Sequence, residues 1–320
     1  LLGKPVVTKP PQKRDMAVSV RQRLLDQARA SGQDFQRLLV RYGIERLLYR
    51  LSRTNARNRY VLKGAMLFAA WADAPFRATG DLDLLGFGDD DVDAARTIFA
   101  DLCRLEPDTD ASADGLIFVA DSVKVERTRE DEDYRGLHVR LEACLKSTRI
   151  PILIDIGFGD PVHPAPLDLD YPRLIPDLPP AHIRAYPAES VIAEKFDAMV
   201  RFDADTTRLK DHYDIWAITE TFPFDAGTLL EAVRRTLNAR ARPIPVNWPA
   251  GLTPEFGKRP DKLAQWRAFL NRAAPTLEPP SFPELIDRLR LFLGPVMHEL
   301  SAAEGGGQLH WFPGRGWNQL

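Results

Sequence analysis

The sequence has little of several features that would assign it to a protein class directly. Its two cysteines, Cys103 and Cys144, cannot build a disulfide scaffold, and neither stands in the spacing of a zinc site. No run of 18 apolar residues occurs, so we expect no membrane-spanning helix, and residues 1–5 lack the apolar core of a signal peptide. Neither a P-loop nor a Ser-His-Asp arrangement stands out. We therefore expect a globular protein of the reducing cytoplasm.

The net charge is also small, −2, but the charges are unevenly distributed. Residues 1–53 carry twelve Lys or Arg against four Asp or Glu, and residues 234–272 carry nine against two. The acidic surplus lies in the middle of the chain, where residues 130–133 are all acidic. Basic ends around an acidic centre suit a polyanionic substrate, although arginines on ordinary helix surfaces would give the same pattern.

The most informative stretch runs from Lys63 to Leu85. The residues before it, 60–62, predict a short strand, and Gly64 predicts a sharp turn. Residues 65–72 then suit a short helix, which Pro75 would end. A strand, a turn and a helix therefore precede the acidic segment that follows.

Residues 81–85 alternate polar and apolar side chains, which is the period of a strand. Asp81 and Asp83 should therefore point to one face, while Leu82 and Leu84 point into the core. Two neighbouring carboxylates repel each other unless a cation or a proton lies between them, and oxygen ligands suit Mg²⁺. The alternative is a strand end with two solvated aspartates.

Hydrophobic periodicity predicts a helical N-terminal region, a group of strands and a helical C-terminal region. Ser19 is predicted to cap the first helix, Gly32 to stop it and Asp34 to cap the second. Short turns between the strands predict a mixed, at least partly antiparallel sheet. The predicted helices cover residues 19–31, 34–51, 92–105, 187–199, 208–216, 228–239, 261–272 and 282–293, and the further predicted strands cover 118–128, 137–145 and 150–158.

Three stretches have no clear period. Residues 159–187 are rich in proline and predict a connecting loop, and residues 241–260 predict an exposed loop or linker. The glycine-rich tail, 305–317, holds three aromatic residues and is expected to fold back onto the body, with stacking on a nucleobase as the alternative. We therefore predict a flexible segment 1–18, a core of 19–160 and a mainly helical region of 161–320.

Two groups of motifs carry a family resemblance. The first group is Leu62-Lys63-Gly64-Ala65 followed by Arg77-x-Thr79-x-Asp81-Leu82-Asp83, and the second is Ala193-Glu194-Lys195 followed by Arg208-x-Lys210-Asp211-x-x-Asp214. Together they resemble the AbiEii/AbiGii toxin family, nucleotidyltransferases of type IV-like toxin–antitoxin pairs to which the MenT toxins also belong. The resemblance covers about residues 19–220. It implies an α/β (α+β) fold with a DNA polymerase β-like core.

The resemblance implies roles for individual residues. Asp81, Asp83 and Asp155 would bind the catalytic metal, and the third acid would help to activate the attacking hydroxyl. Lys195 would contact the nucleotide phosphates, with Asp211 supporting that lysine or the metal site. The other nucleotide-binding candidates are Lys63, Gly64, Ala65, Arg77 and Thr79, and the candidates for a supporting role are Lys210, Asp214 and Glu194.

Plainer explanations stand beside these roles. Asp155 lies in an isoleucine-rich strand and could pair with a structural partner such as an arginine. Lys63 could be a surface lysine at a strand end, Thr79 could cap a turn, and the later motifs could be amphipathic helices with surface salt bridges. One departure is that the turn at Gly64 lacks the hydroxyl residue of the wider superfamily, although backbone N–H groups can still hold phosphate there.

The resemblance implies transfer of a nucleotide from an NTP, with Mg²⁺, to RNA, and the acceptor in characterised relatives is the tRNA 3′ end. Inhibited translation and growth would follow, and an antitoxin would be the partner. A second hypothesis keeps the fold but modifies a protein or a small molecule such as an aminoglycoside, against which the basic ends argue. A third is a catalytically idle nucleotide-binding or interaction module, against which the three acids argue. A metal-dependent nuclease would not explain the glycine turn and the lysine.

Overall fold

The computed structural model describes residues 15–71, 77, 79–106, 109, 112–128, 135–301 and 309–319. These residues contain both helices and a mixed sheet, which confirms the α/β (α+β) class. In chain order they are α1 Met16–Ser31, α2 Phe35–Ser52, β1 Tyr60–Lys63, α3 Leu67–Trp71, β2 Asp81–Gly86, α4 Val92–Arg104, β3 Leu116–Arg127, β4 Gly136–Leu145, β5 Thr148–Phe158, β6 Leu167–Tyr171, β7 Ala181–Ala185, α5 Ala188–Phe202, α6 Leu209–Thr221, β8 Phe224–Asp225, α7 Ala226–Ala239, α8 Pro254–Lys258, α9 Pro260–Ala273, α10 Phe282–Ser301, β9 Leu309–Phe312 and β10 Gly316–Gln319.

Seven strands form one mixed sheet in the order β3-β4-β5-β2-β1-β7-β6. The β2–β5 and β1–β7 pairs are parallel, and the other neighbours in this sheet are antiparallel. The predicted mixed sheet is therefore confirmed. Strand β2, which carries the Asp-x-Asp motif, is the central strand.

One face of this sheet is apolar and is covered by α2. The isoleucines of β5 at positions 150, 152, 154 and 156 are fully buried. A side chain added at Gly43 of α2 would lie 3.0 Å from Ile152 Cδ1, so the helix approaches the sheet closely there. Because side chains alternate along a strand, Asp155 projects from the opposite face. The core therefore lies under α2, and the acidic residues lie on the other side of the sheet.

The first helix begins earlier than predicted. Asp15, rather than Ser19, is the N-cap, and its carboxylate accepts a hydrogen bond from the Val18 N–H at 3.3 Å. Both residue types cap helices well, so the local pattern did not distinguish them. Gly32, at φ +68°, ends the helix and Asp34 caps the next one, as predicted. Residues 1–14 of the predicted flexible segment, Pro75, the acidic run 130–133 and the glycines 305–307 lie outside the described residues.

The prediction of a connecting loop over residues 159–187 is wrong. Strands β6 and β7 form an antiparallel pair in this stretch, and β7 joins the sheet alongside β1. The N–H of Tyr186 donates to the Leu62 carbonyl at 2.9 Å. Both strands have only five residues, and the prolines that flank them hid their alternation. The main sheet therefore continues to Ala185, past the predicted core boundary at residue 160.

Residues 241–260 are only partly an exposed loop. Val246 is 82% exposed, as predicted, but the segment then folds into a 3₁₀ turn at Ala250–Leu252 and into α8. Leu252 and Phe256 are both buried. The signal for α8 was present in the sequence, because Thr253 caps a helix whose first residue is a proline.

The long helix α10 organises the C-terminal region. Its core face is buried through the apolar residues 285, 286, 289, 292, 293 and 296, whereas Leu291 on the other face is 61% exposed. This amphipathic pattern fits a helix at the surface of a globular core. In the described part of the chain, no helix combines the length and the apolar character that crossing a bilayer requires.

The tail packs on this helix, which confirms the predicted folding back. Strands β8, β9 and β10 form a small antiparallel sheet. Trp311 is 5% exposed, lies edge-on to Phe292 at 5.0 Å between ring centres, and donates from Nε1 to the Thr219 carbonyl at 2.8 Å. The tail is therefore held by a buried aromatic anchor and by a hydrogen bond to α6.

We expect Trp311→Ala to lower the free energy of unfolding by about 3–5 kcal/mol, because it removes a buried indole and leaves the Thr219 carbonyl without this donor. Equilibrium urea unfolding measures the loss. The control is Val246→Ala at an exposed position, which should change stability by less than about 0.5 kcal/mol. A loss below about 1 kcal/mol for Trp311→Ala would contradict the anchoring role.

Candidate active site

Three aspartates lie on the face of the sheet opposite α2. Asp83 of β2 and Asp155 of β5 are register partners on neighbouring parallel strands, which are about 4.8 Å apart in such pairs. Asp81 precedes Asp83 by two residues and shares its face, whereas Leu82 and Leu84 are 1% exposed. The predicted alternation of β2 is confirmed.

Gly64 makes room for one of these acids. Its φ is +70°, and a Cβ built on it would lie 1.9 Å from Asp83 Oδ2. Only glycine provides both the left-handed conformation and the empty space. The following residue, Ala65, is buried at 5% exposure in the 3₁₀ turn Gly64–Met66. The glycine turn therefore seats the Asp83 carboxylate directly against the backbone.

The environment of Asp83 opposes its ionisation. Burial raises the pKa of this carboxyl to about 6, and repulsion from Asp155 and Asp81 adds to the rise. Attraction to Lys63 and Lys210 lowers the pKa of Asp83 but does not outweigh burial. A positive charge placed among these acids would relieve both the desolvation and the repulsion.

His138, which is not among the predicted site residues, binds the third acid, Asp155. His138 of β4 is the register partner of Asp155, and its Nδ1 lies 2.6 Å from Asp155 Oδ1. The side chain of Asp155 is 49% exposed, so this acid is not buried in the apolar layer and its partner is not an arginine. A strand over 137–145 was predicted, but the partner of His138 depends on the register between β4 and β5.

A cluster of cations lies across the helices that face these acids. Lys195 Nζ donates to Asp211 Oδ1 at 2.8 Å and to Asp214 Oδ2 at 2.7 Å. Arg77 binds Asp214 through two parallel hydrogen bonds of 2.7 and 2.9 Å. Arg208 donates from Nε to Asp211 Oδ2 at 2.8 Å. The structure thus brings together Lys195, Asp211, Asp214 and Arg77, all of which were predicted site residues.

The charges in this cluster stabilise one another. Burial alone would lower the pKa of Lys195, but attraction to Asp211 and Asp214 raises it. Burial would likewise raise the pKa of Asp211, and Lys195 and Arg208 instead bring it well below its usual range. Among the described residues of this cluster, Lys195, Arg77, Arg208 and Lys210 carry positive charge, and Asp211 and Asp214 carry negative charge.

Lys210 connects the cluster with the acids. It is exposed at the start of α6. Partial desolvation lowers the pKa of Lys210, and repulsion from Arg208, Lys195 and Arg77 lowers it further, whereas attraction to Asp211 opposes the shift. Its charge also lowers the pKa of Asp83. The acidic face of the sheet and the cationic helices are therefore close enough for their charges to interact.

Lys63 and Glu194 take part in a second, buried network. Lys63 is 8% exposed, so the interpretation as a surface lysine is wrong; its ammonium donates to Asp160 at 3.1 Å and to Glu194 at 3.0 Å. Arg240 donates to Asp160 at 2.9 Å and to Asp197 at 2.7 Å. Burial would raise the pKa of Asp160, but Lys63 and Arg240 lower it to about 2. This network joins β1 to α5 and α7.

Thr79 lies two residues before Asp81 and is half-buried. A phosphate contact by Thr79, Lys63 or the backbone of Gly64 and Ala65 stays a prediction. For Lys63 such a contact would require its present ion pairs to open, because its ammonium already binds two carboxylates.

The acids fit a hard divalent cation. Among the described residues, no group of three or more His, Cys, Asp or Glu already has the spacing of metal ligands. Nevertheless Asp83 and Asp155 are in register, Asp81 shares their face, and mutual repulsion contributes to the raised pKa of Asp83. An all-oxygen donor set of this kind suits Mg²⁺ rather than a soft metal.

The family model "Nucleotidyl transferase AbiEii toxin, Type IV TA system" matches residues 46–288. The chain belongs to the AbiEii family. The match extends further towards the C-terminus than the predicted resemblance over 19–220, and it leaves out α1. This AbiEii chain therefore has a toxin-like nucleotidyl transfer role, which makes it a transferase.

Two crystal structures from Helicobacter pylori are similar to this chain. JHP933 is 14% identical, with 80% of this chain and 88% of that chain covered and a TM-score of 0.43. A candidate nucleotidyltransferase is also 14% identical, with 82% and 94% covered and a TM-score of 0.45. No curated protein matches the AbiEii chain.

We expect Gly64→Ala to destabilise the protein by about 2–5 kcal/mol, because a left-handed alanine costs about 1–2 kcal/mol and the added methyl must displace Asp83. The matched control is Gly32→Ala, at φ +68° with no atom within 4 Å of the added Cβ. Urea unfolding of both variants separates backbone strain from the clash. Equal losses would show that Asp83 is not confined by residue 64.

We expect Asp83→Asn to stabilise the protein at pH 7 by up to about 3 kcal/mol, measured by urea unfolding with a chelator present. The folded pKa of about 6 lies above the ordinary 3.8, so ionisation weakens the folded state as pH rises from about 4 to 6. The gain should therefore vanish near pH 4. A gain that is independent of pH would contradict the raised pKa.

We expect Asp211→Asn to change the free energy of unfolding in the opposite direction from Asp83→Asn. Its folded pKa is lowered by Lys195 and Arg208, so its charge stabilises the folded state at neutral pH, and this contribution is lost as pH falls below about 4. The substitution should cost about 3 kcal/mol at pH 7, because a buried ion pair is broken. The same unfolding series measures it, and a stabilising Asp211→Asn would contradict the ion-pair assignment.

Proposed function

We propose that this AbiEii protein transfers NMP from an NTP, with Mg²⁺, to the 3′ end of tRNA, and that it thereby inhibits translation and growth. The observation that carries the proposal is the register pair Asp83 and Asp155, of which Asp83 is seated at the Gly64 turn and lies within electrostatic range of the cations Arg77 and Lys210. Family membership supports the nucleotidyl transfer, and the acceptor and its consequences are our proposal. An antitoxin is the partner that this family predicts.

The acids supply the metal site in this proposal. Asp81, Asp83 and Asp155 would hold Mg²⁺, which when bound polarises the phosphoryl group and neutralises developing charge. Asp155 has one oxygen held by His138 at 2.6 Å, so its remaining oxygen is oriented rather than free to rotate. That fixed carboxylate can accept the proton of an attacking hydroxyl, which is the role proposed for the third acid.

The cations would hold the triphosphate. Lys195 is oriented by Asp211 and Asp214, and Arg77 is fixed by a bidentate pair with Asp214, so the position of each charge is set before substrate arrives. Positioned charges stabilise a phosphoryl transfer without reorganisation during the reaction. Lys210 and Arg208 are exposed beside them and can meet phosphate from solvent.

The basic segments of the chain contribute less than their composition indicates. Arg240 is engaged in the buried network with Asp160, and Arg46 and Arg50 of α2 are buried against Asp114. Part of the basic surplus is therefore structural. Support for RNA as acceptor accordingly comes mainly from the family and from the cationic cluster at the site.

The test is incubation of the purified protein with total tRNA, Mg²⁺ and each labelled NTP in turn. We expect label from one NTP to enter RNA, and Asp81→Ala to abolish the signal because it removes a metal ligand. The control is Asp93→Ala, whose carboxylate is 85% exposed at the start of α4 and outside the site. This variant should retain full activity.

Two outcomes would contradict the RNA acceptor. If Mg·NTP binds but no RNA is labelled, a protein or small-molecule acceptor takes its place. If NTP binding is also absent, the chain is an interaction module rather than an enzyme. Either result leaves the family assignment intact, because that assignment rests on the sequence match.

A further inference from the structure

An exposed aromatic ring at the end of α5 adjoins the cation cluster. Phe202 is the last residue of α5 and is 36% exposed. The guanidinium carbons of Arg201 and Arg208 lie 5.0 and 5.8 Å from the centre of its ring. Single exposed apolar residues are common, but two guanidinium groups around one ring create a surface that is both apolar and cationic.

One side chain connects this ring to the site. Arg208, which lies over Phe202, also donates to Asp211, and Asp211 accepts from Lys195. Lys210 follows two residues later at the exposed start of α6. The ring is therefore adjacent to the charges that are proposed to hold the triphosphate.

Two acidic residues that follow Phe202, Asp203 and Asp205, interact with the segment 250–261. The carboxylate of Asp203 accepts a hydrogen bond from the Ala250 N–H, and Asp205 lies near enough to Arg259 to raise the pKa of that arginine, together with its main partner Asp261. These acids therefore interact with the segment 250–261. The contacts described for the ring itself are with the guanidinium groups of Arg201 and Arg208.

We propose that Phe202, Arg201 and Arg208 form the surface on which a substrate nucleobase stacks. The inference rests on the proposed function, because it assigns a subsite to the nucleotide of that reaction. A nucleobase offers a flat apolar face joined to phosphate, which matches a ring bordered by guanidinium groups. The base of the incoming NTP is the expected occupant, because the phosphates of that NTP would lie at Lys195 and Lys210. The terminal base of the RNA acceptor offers the same flat ring and is distinguished from the NTP by the experiment below.

The experiment measures binding rather than turnover. Each Mg·NTP, tRNA, and Mg·tripolyphosphate as a ligand without a base are titrated into the wild-type chain, Phe202→Ala and Phe202→Trp. The matched control is Phe87→Ala: Phe87 is 39% exposed, has Arg184 at 5.3 Å from its ring centre, and lies at the other end of β2. Thermal unfolding of each variant reports whether it folds.

We expect Phe202→Ala to weaken NTP binding roughly 5- to 150-fold, the range for loss of one aromatic–base stack. Tripolyphosphate should bind unchanged, Phe202→Trp should restore affinity, and Phe87→Ala should have no effect. If tRNA binding weakens instead, the stacked base belongs to the acceptor. The inference would be overturned if Phe202→Ala bound both NTP and tRNA as tightly as the wild-type chain does. It would also be overturned if Phe202→Ala lost as much affinity for tripolyphosphate as for NTP, or if the wild-type chain bound neither NTP nor tRNA.

The two proposals fail in different ways. A chain that binds NTP through Phe202 but labels no RNA would contradict the acceptor and leave the stacking surface standing. If RNA is labelled equally well by the wild-type chain and by Phe202→Ala, and their nucleotide affinities are the same, the stacking surface is contradicted and the RNA acceptor is supported.

Discussion

The seating of Asp83 against Gly64 is the constraint on which the candidate site depends. The carboxylate fills the space that any side chain at residue 64 would need, so the strand β2 and the turn after β1 cannot separate or slide without moving an acid. The same close contact withdraws Asp83 from water and raises its pKa. One geometric fact thus sets both the position and the charge preference of the central acid.

Two consecutive residues of α5 then tie the helices to the sheet. Glu194 binds Lys63 at the end of β1, and Lys195 binds Asp211 and Asp214 of α6. Successive residues on a helix point about 100° apart, so the pair reaches two different partners. A shift of α5 by one residue would break both sets of ion pairs, and this double attachment therefore fixes how the cationic helices face the acids.

Much of this arrangement was predictable from local sequence. Alternation in β2 placed Asp81 and Asp83 together, because it depends on short-range periodicity, and the motif at 208–214 singled out Asp211 and Asp214 through the family resemblance. What could not be predicted depends on pairing between distant segments. His138 meets Asp155 only through the β4–β5 register, and Lys63 meets Asp160 only once β1, α5 and α7 assemble. The strands β6 and β7 were missed because each is only five residues long and is flanked by prolines.

The position of β2 in the middle of the sheet has a mechanical consequence. It is hydrogen-bonded to β5 on one side and β1 on the other, so the spacing of the acids can change only if the sheet opens, which is among the costliest motions of a folded chain. The cations, in contrast, belong to α5, to the start of α6 and to residue 77. Side-chain ion pairs, rather than backbone hydrogen bonds between strands, hold Arg77 and Lys195 in place. Rearrangement of the cations therefore requires only side-chain ion pairs to open, whereas rearrangement of the acids requires the sheet to open.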